Sequence, residues 1–232
     1  MRVLSIVHQP DAGTGVFADP VDDLVEWVPR QGAAPDLAGV EAAMVFGGEM
    51  HVDQETANPW LRPEKELIGE LLRRGTPVLG VCLGSQLLAE AAGATPRATT
   101  EPEIGWRRVD VTTEGASDPL IGPLAPAVEV FEWHSYEAPL PPGGVTLARN
   151  AHCLQAFRLD GAPAWGIQFH AEVTLADLSS WLDEWNESPE AVGTGQDPEE
   201  IRRETMERIA AQNELGRALA CRFLAEAERV TR

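Results

Sequence analysis

Lysine is almost missing from this chain: Lys65 stands alone among 232 residues, against many arginines and alanines. That bias points to a GC-rich bacterial genome. Positive charge as a whole is scarce, with 18 Lys and Arg against 37 Asp and Glu and a formal net charge of −19. Such a surface repels nucleic-acid phosphates and anionic membranes, so neither is expected as a partner, and a soluble protein is. Cysteine is scarce too. Cys82, Cys153 and Cys221 are odd in number and widely spaced. They make neither a disulfide framework nor a C-x-x-C metal motif, which fits a reducing cytoplasm. No apolar run approaches the length of a membrane span. Met1 to Val7 is too short a run before His8-Gln9-Pro10 to be a signal peptide. Gly13-Thr14-Gly15 is too short to hold phosphates, and no G-x-x-x-x-G-K-[ST] loop occurs. Repeats and low-complexity tracts are lacking as well.

What is present is an ordinary globular composition, 44% hydrophobic and 24% charged, long enough for one domain with a sizeable core. Short β-rich apolar runs recur at Val3–Val7, Ala43–Phe46, Val78–Val81, Trp106–Val111, Val128–Trp133, Val145–Ala148, Leu154–Leu159 and Trp165–Phe169. Helical patterns at Pro63–Arg74 and Gln86–Ala92 lie between some of them. The first half therefore alternates strand and helix, which predicts a parallel sheet with helices on both faces. Gly105 to Leu159 reads as successive strands, an antiparallel annex. From Leu175 the chain is helical and charged, with a loop near Ser188–Gln196. A final helix over Pro198–Val230 has apolar positions Ile201, Met206, Ile209, Leu215, Leu219 and Phe223, whose face should dock on the core or on a partner. Much of the acid lies on these helices as a solvated coat.

One stretch carries chemistry. Pro77-Val-Leu-Gly-Val-Cys82-Leu-Gly-Ser-Gln86 runs an apolar strand into Gly80-x-Cys82-x-Gly84 and at once into a helical pattern. This is the strand–turn–helix setting of a nucleophile elbow with cysteine in place of serine. The turn is tight, so its flanking positions must be small, and both are glycine. Cys82 would sit at a helix N-terminus, which favours thiolate. Far downstream, Ala164-Trp-Gly-Ile-Gln-Phe169 reads as a buried strand ending in His170-Ala171-Glu172. Residues two apart in an extended chain share a face, so His170 and Glu172 can be a base and the carboxylate that orients it.

Gly80-Val-Cys-Leu-Gly-Ser-Gln86, His170-Ala-Glu172 and an upstream Gly47-Gly48 loop resemble the class I glutamine amidotransferases, and in particular their stand-alone, GMP-synthase-like branch, which includes γ-glutamyl peptidases. Asn58-Pro59-Trp60, Ile104-Gly105-Trp106 and Trp133-His134 before Pro139 strengthen the likeness, which covers roughly the whole chain. It implies a flavodoxin-like three-layer α/β sandwich with a central, mostly parallel sheet, a small antiparallel annex and a C-terminal helix. The expected organisation is a domain over 1–186 and a helical extension over 187–232 packed on it. The implied triad is Cys82, His170 and Glu172, with the backbone N–H groups of Gly48 and Leu83 as oxyanion donors. Gln86, His134, Ser135 and Tyr136 match the segments that hold the glutamyl group. No cofactor or metal is implied. The substrate is glutamine or a γ-glutamyl amide or peptide, and a glutaminase subunit would need a separate synthetase partner. Glu49 departs from the branch, which usually has proline there; a carboxylate at this place could repel an anionic substrate or bind an amine.

Other readings compete. A Cys–His pair without H-x-E, as in DJ-1-like proteins, is opposed by the His170-x-Glu172 spacing. A non-catalytic regulatory protein on the same fold would have no need of these three residues. His134 can be a substrate contact or can satisfy a core hydrogen bond. His8, His51 and His152 read as surface or loop residues, although His8 at the end of the first strand could line the cleft. Cys153 and Cys221 read as packing thiols, and the scattered tryptophans (Trp27, Trp165 and Trp181 among them) as core and rim packing.

Overall fold

The computed structural model describes residues 1–231. Its strands and helices run β1 (Arg2–Ile6), β2 (Asp23–Trp27), β3 (Ala42–Val45), α1 (Leu61–Arg74), β4 (Val78–Val81), α2 (Leu83–Ala91), β5 (Arg97–Val111), α3 (Thr113–Ala116), β6 (Ala127–Glu137), β7 (Gly144–Arg149), β8 (Leu154–Leu159), β9 (Ala164–Ile167), α4 (Leu175–Asp183), α5 (Pro189–Gly193) and α6 (Pro198–Thr231). The strands form one nine-stranded sheet in the order β2-β1-β3-β4-β9-β8-β7-β5-β6. From β2 to β9 the pairing is parallel, and from β9 to β6 it is antiparallel. The antiparallel annex thus continues the central sheet and shares its hydrogen-bond ladder.

β3, β4 and β9 are buried at every position, the mark of parallel strands covered on both faces. Alternate residues feed two cores. Leu4, Ile6, Ala43, Val45 and Val78 meet Leu67, Ile68 and Leu71 of α1 and Leu87 and Leu88 of α2. Val3, Met44, Leu79, Trp165 and Ile167 meet Leu219, Phe223 and Ala227 of α6 on the other face. Helix, sheet and helix make the three layers. A third core under the annex packs Ile104, Trp106 and Phe131 against Leu178, Leu182 and Trp185 and against Ile201 and Ile209 of α6.

Several expectations need correction. β2 lies outside the expected runs: it is an edge strand, mostly half-buried and flanked by acids, so its apolar signal is weak. β5 begins nine residues before Trp106, at Arg97, and a register shift between Ala98 and Glu103 disguises the pattern. The loop expected over Ser188–Gln196 contains α5, started by the Ser188 side chain, which accepts from the Ala191 N–H at 3.2 Å. α6 does dock, but Met206 is 62% exposed. The buried stripe passes instead through Thr205, whose hydroxyl accepts from the Trp106 indole at 3.0 Å. Cys221 is exposed rather than packed.

α6 comes closest to the sheet's neighbours at Gly216, where an added Cβ would run into the carbonyl oxygen of Ala171. On an open helix Gly→Ala stabilises by about 1 kcal/mol. Here Gly216→Ala is expected to destabilise by about 1–3 kcal/mol, the usual cost of overpacking. Denaturant unfolding checks it, and a stabilised variant would contradict the close approach.

Candidate active site

The chain leaves β4 at Val81 and turns sharply into α2. Cys82 occupies the turn with φ 51° and ψ −112°, the one non-glycine residue at positive φ among the described residues. Backbone held there costs on the order of 1–3 kcal/mol. Hydrogen bonds retain it: the Cys82 N–H donates to the Ile167 carbonyl at 2.9 Å, and its carbonyl accepts from Ser85 and Gln86 at 3.0 and 3.1 Å. Gly80 and Gly84 are needed for space rather than for φ. A Cβ on Gly80 would fall on the Gly84 carbonyl, and one on Gly84 would fall on the Val45 carbonyl.

His170 lies three residues beyond β9, tied by its N–H to the Phe131 carbonyl at 2.8 Å. The strand expected to run through Phe169 ends at Ile167, and this single bridge continues it. Nδ1 of His170 meets Glu172 Oε1 at 2.7 Å, with both side chains buried. That leaves Nε2 for the side of Cys82, whose charge acts on the ring, while the Cys82 thiol itself donates to the Trp133 carbonyl at 3.8 Å. Trp181 stands edge-on to the imidazole at 5.0 Å between ring centres. Burial alone would lower the His170 pKa. The Glu172 charge and the Cys82 sulfur override it and hold the imidazole well above the ordinary histidine range.

A cavity of about 520 Å³ opens over Cys82 and His170, bordered by Gly48, Leu83, Gln86 and the His134–Tyr136 segment. Every site residue expected from the sequence therefore gathers at the sheet's C-terminal edge except Glu172, which stands behind His170. The Gly48 N–H has no acceptor among the described residues, and Leu83, as the first residue of α2, has no intrahelical acceptor for its own. Gln86 donates both amide hydrogens inward, to the Tyr136 carbonyl at 3.0 Å and to Gln168 Oε1 at 3.2 Å. Its own oxygen is left to accept from a ligand. Tyr136 gives its hydroxyl to Asp53 at 3.2 Å, and Ser135 its hydroxyl to Glu190 at 2.6 Å. The Glu49 amide, which a proline would lack, donates to Gln9 Oε1 at 2.9 Å.

His134 borders the cavity, but both its ring nitrogens face buried partners. Nδ1 donates to the Tyr136 carbonyl at 3.0 Å, and Nε2 lies 3.2 Å from Glu103 and 3.3 Å from Glu132. Burial pulls its pKa down, yet Glu103 and Glu132 carry it up to about 10. Burial lifts the Glu132 carboxyl to about 7 in spite of His134. Among the described residues, Glu103, His134 and Cys153 also bring three donor atoms within 4.8 Å of one another. His8 is not on the surface: it is 1% exposed, locked between Gly47 and Glu64. His51 borders the cavity, stacked on Tyr136, while His152 is exposed as expected. Trp133, which the Trp133-His134 motif marks, also belongs to the site, as do Gln168 and Trp181, which no motif singles out.

A thiol at a strained strand-to-helix turn, an imidazole and a carboxylate in line, and unused amides beside the sulfur make a site suited to acyl transfer through a thioester. The chain belongs to the glutamine amidotransferase class-I family, whose model matches residues 24–183. The glutamine amidotransferase-like protein YfeJ of Salmonella typhimurium is 28% identical over 184 residues, 75% of this chain and 77% of its own. A γ-glutamyl-L-1-hydroxyisopropylamide hydrolase of a Pseudomonas species is 29% identical over 156 residues, 64% of this chain and 52% of that protein. The glutamine-hydrolysing GMP synthase subunit of Sulfurisphaera tokodaii is 35% identical over 105 residues, covering 44% of this chain and 54% of that one. The chain thus spans only about half the length of these last two. Among solved structures, a glutamine amidotransferase of Thermotoga maritima superposes with a TM-score of 0.85 at 26% identity, over 96% of this chain and 97% of the other.

The buried histidines make stability depend on pH with one sign. A histidine raised from 6.5 to about 10 contributes stability that is full below the unfolded value and lost as pH rises through the folded one. Glu132, raised to about 7, acts in the same direction between its ordinary value and 7. The unfolding temperature should therefore fall from pH 6.5 towards pH 10, and less steeply in His134→Gln. Thermal melts across that range check it; a flat profile would contradict the buried charge.

Proposed function

We propose that this protein hydrolyses the γ-carboxamide of glutamine or of a γ-glutamyl amide or peptide through a thioester on Cys82. The observation that carries the reading is the Cys82–His170–Glu172 alignment below a cavity edged by the uncommitted Gly48 N–H. Cys82 attacks the amide carbon as its proton passes to His170, and a carbon–sulfur bond forms while the carbonyl electron pair moves onto oxygen. The N–H groups of Gly48 and Leu83 receive that oxyanion. The intermediate collapses, the carbon–nitrogen bond breaks, and His170 returns the proton to the departing ammonia or amine. Water, deprotonated by His170, then cleaves the thioester to glutamate. Glu172 keeps the imidazole oriented and stabilises its charged form.

The amine side of the substrate is suggested by charge. Asp11, Glu49, Glu184, Glu187 and Glu190 border the cavity, and among the described residues no lysine or arginine does. Glu190 is held ionised by His51 and Ser135. A leaving amine that carries a carboxylate meets repulsion there, and a neutral or cationic one does not. The Gln86 oxygen suits the α-amine of the glutamyl group.

A second reading, a glutaminase that passes ammonia to a separate synthetase, is favoured by the relatives named as subunits of GMP synthase. The scarcity of thiols supports a reducing bacterial cytoplasm as its setting. The family match ends at 183, which supports treating 187–232 as an extension packed on the domain of 1–186.

Purified protein incubated alone with glutamine and γ-glutamyl peptides should release glutamate, with Cys82→Ser inactive and Glu172→Gln slower by on the order of 10⁴-fold in kcat. Turnover of peptides identifies a self-sufficient hydrolase; slow turnover of glutamine alone identifies a glutaminase that needs its synthetase. Silence on every substrate sinks the catalytic reading. Within an active panel, amides of neutral or cationic amines should exceed γ-glutamyl amino acids by about tenfold in kcat/KM at low salt, a difference of roughly 1.4 kcal/mol. Glu49→Gln should narrow that gap, and equal rates would remove the acidic rim from the account of specificity.

A further inference from the structure

The reaction described above does not use His8 or Glu64, yet they form a fully buried pair directly behind the oxyanion loop. His8 Nδ1 lies 2.8 Å from the Gly47 carbonyl oxygen, and its Nε2 lies 2.8 Å from Glu64 Oε1, with both side chains at 0% exposure. A carbonyl only accepts, so Nδ1 carries a hydrogen and donates it. Burial lowers the His8 pKa, but Glu64 and the Gly47 carbonyl more than reverse it, and the net shift is upward. The loop is also pressed on this ring: an added Cβ on Gly48 would stand 2.9 Å from His8 Cβ and 2.6 Å from Met50 Sδ. On its other side Gly47 faces the nucleophile, where an added Cβ would lie 3.1 Å from His170 Cε1 and 3.6 Å from Cys82 Cβ.

The carbonyl of Gly47 and the N–H of Gly48 belong to one peptide group. The bond is not among the cis peptides, so the two dipoles point in opposite directions across the plane. Anchoring the carbonyl on His8 therefore turns the Gly48 N–H away from His8, towards the side where Cys82 lies. Two successive glycines leave this plane unusually free to rotate, since neither residue has a Cβ to resist it. A rotation of half a turn would set the carbonyl oxygen, in place of the N–H, against the developing oxyanion. We infer that His8, backed by Glu64, is the positioning residue that locks the Gly47–Gly48 peptide with its N–H presented to the reaction intermediate. Glu64 supports the ring from α1 and accepts from its Nε2–H, which favours the doubly protonated ring and so keeps the hydrogen and the tilt needed at Nδ1. The inference rests on the thioester reading above, because an oxyanion donor matters only to an acyl-transfer reaction.

The test separates the lock from the fold and from the thiol. Glu64→Gln serves as the background, so that removing His8 leaves no charge buried alone. In it, His8→Ala deletes the donor, and His8→Asn restores an N–H at the place of Nδ1. Turnover of the best γ-glutamyl substrate is compared with iodoacetamide alkylation of Cys82, read at its own peptide by mass spectrometry because Cys221 is exposed. Alkylation is a displacement at carbon that needs the thiolate and no oxyanion donor. The expected result is a kcat reduced by up to about 10²–10³-fold in the alanine variant, the loss caused by removing one oxyanion donor. KM and the alkylation rate should stay close to the background, and asparagine should recover most of kcat. An alanine variant as fast as its background, an asparagine variant as slow as alanine, or alkylation falling together with kcat would each overturn the lock. If the unaltered chain turns over no γ-glutamyl substrate, the hydrolase reading fails and takes this inference with it; if it does and His8→Ala is neutral, only the lock fails.

Discussion

The strained turn at Cys82 is the constraint on which the rest of the site depends. A side chain at φ 51° points where no regular strand or helix would send it. To keep it there, the fold supplies a parallel neighbour, β9, whose Ile167 carbonyl takes the Cys82 N–H, and two positions with no side chain at all. The same β9 then leads, three residues on, to His170. One strand pair thus fixes the nucleophile and aims the base. Their spacing is set by backbone hydrogen bonds rather than by flexible side chains, which is why a site made from residues 82 and 170 can be accurate.

Around that core the structure holds a set of buried histidines, each matched to carboxylates: His170 to Glu172, His134 to Glu103 and Glu132, and His8 to Glu64. Burying a charge costs several kcal/mol unless it is paired and hydrogen-bonded, so such pairs are weak sources of stability. Their value lies in direction. Each ring is held by a hydrogen bond at Nδ1, and His8 at Nε2 as well. The His134 ring steadies the Tyr136 carbonyl that receives the Gln86 amide, and the His8 ring steadies the Gly47 carbonyl. The acidic surface does the opposite work, placing carboxylates around the mouth with no lysine or arginine beside them among the described residues.

The sequence displays the parts of this arrangement that obey short-range rules. The elbow is legible because sterics demand glycine on both sides of Cys82, and the His170–Glu172 pair because extended backbone repeats every two residues. The parallel core is legible as unbroken apolar runs. What stays hidden is decided by contacts far apart in the chain. His8 looks like a loop residue because its partners, Gly47 and Glu64, lie 39 and 56 positions away. β2 escapes notice because an edge strand needs few apolar residues. On α6, Thr205, Gln212 and Gly216 occupy the buried stripe while Met206 faces out, so hydrophobicity alone misplaces the face.

The last helix reaches further into the chemistry than its distance along the chain suggests. Its Gly216 fits against the Ala171 carbonyl, its Asn213 amide donates to the Val173 carbonyl at 2.7 Å, and its Gln212 accepts the N–H of Phe131, whose own carbonyl holds His170. During synthesis the elbow at Cys82 emerges more than a hundred residues before this brace. A nascent chain can therefore expose its thiol long before α6 is there to brace the segment around His170.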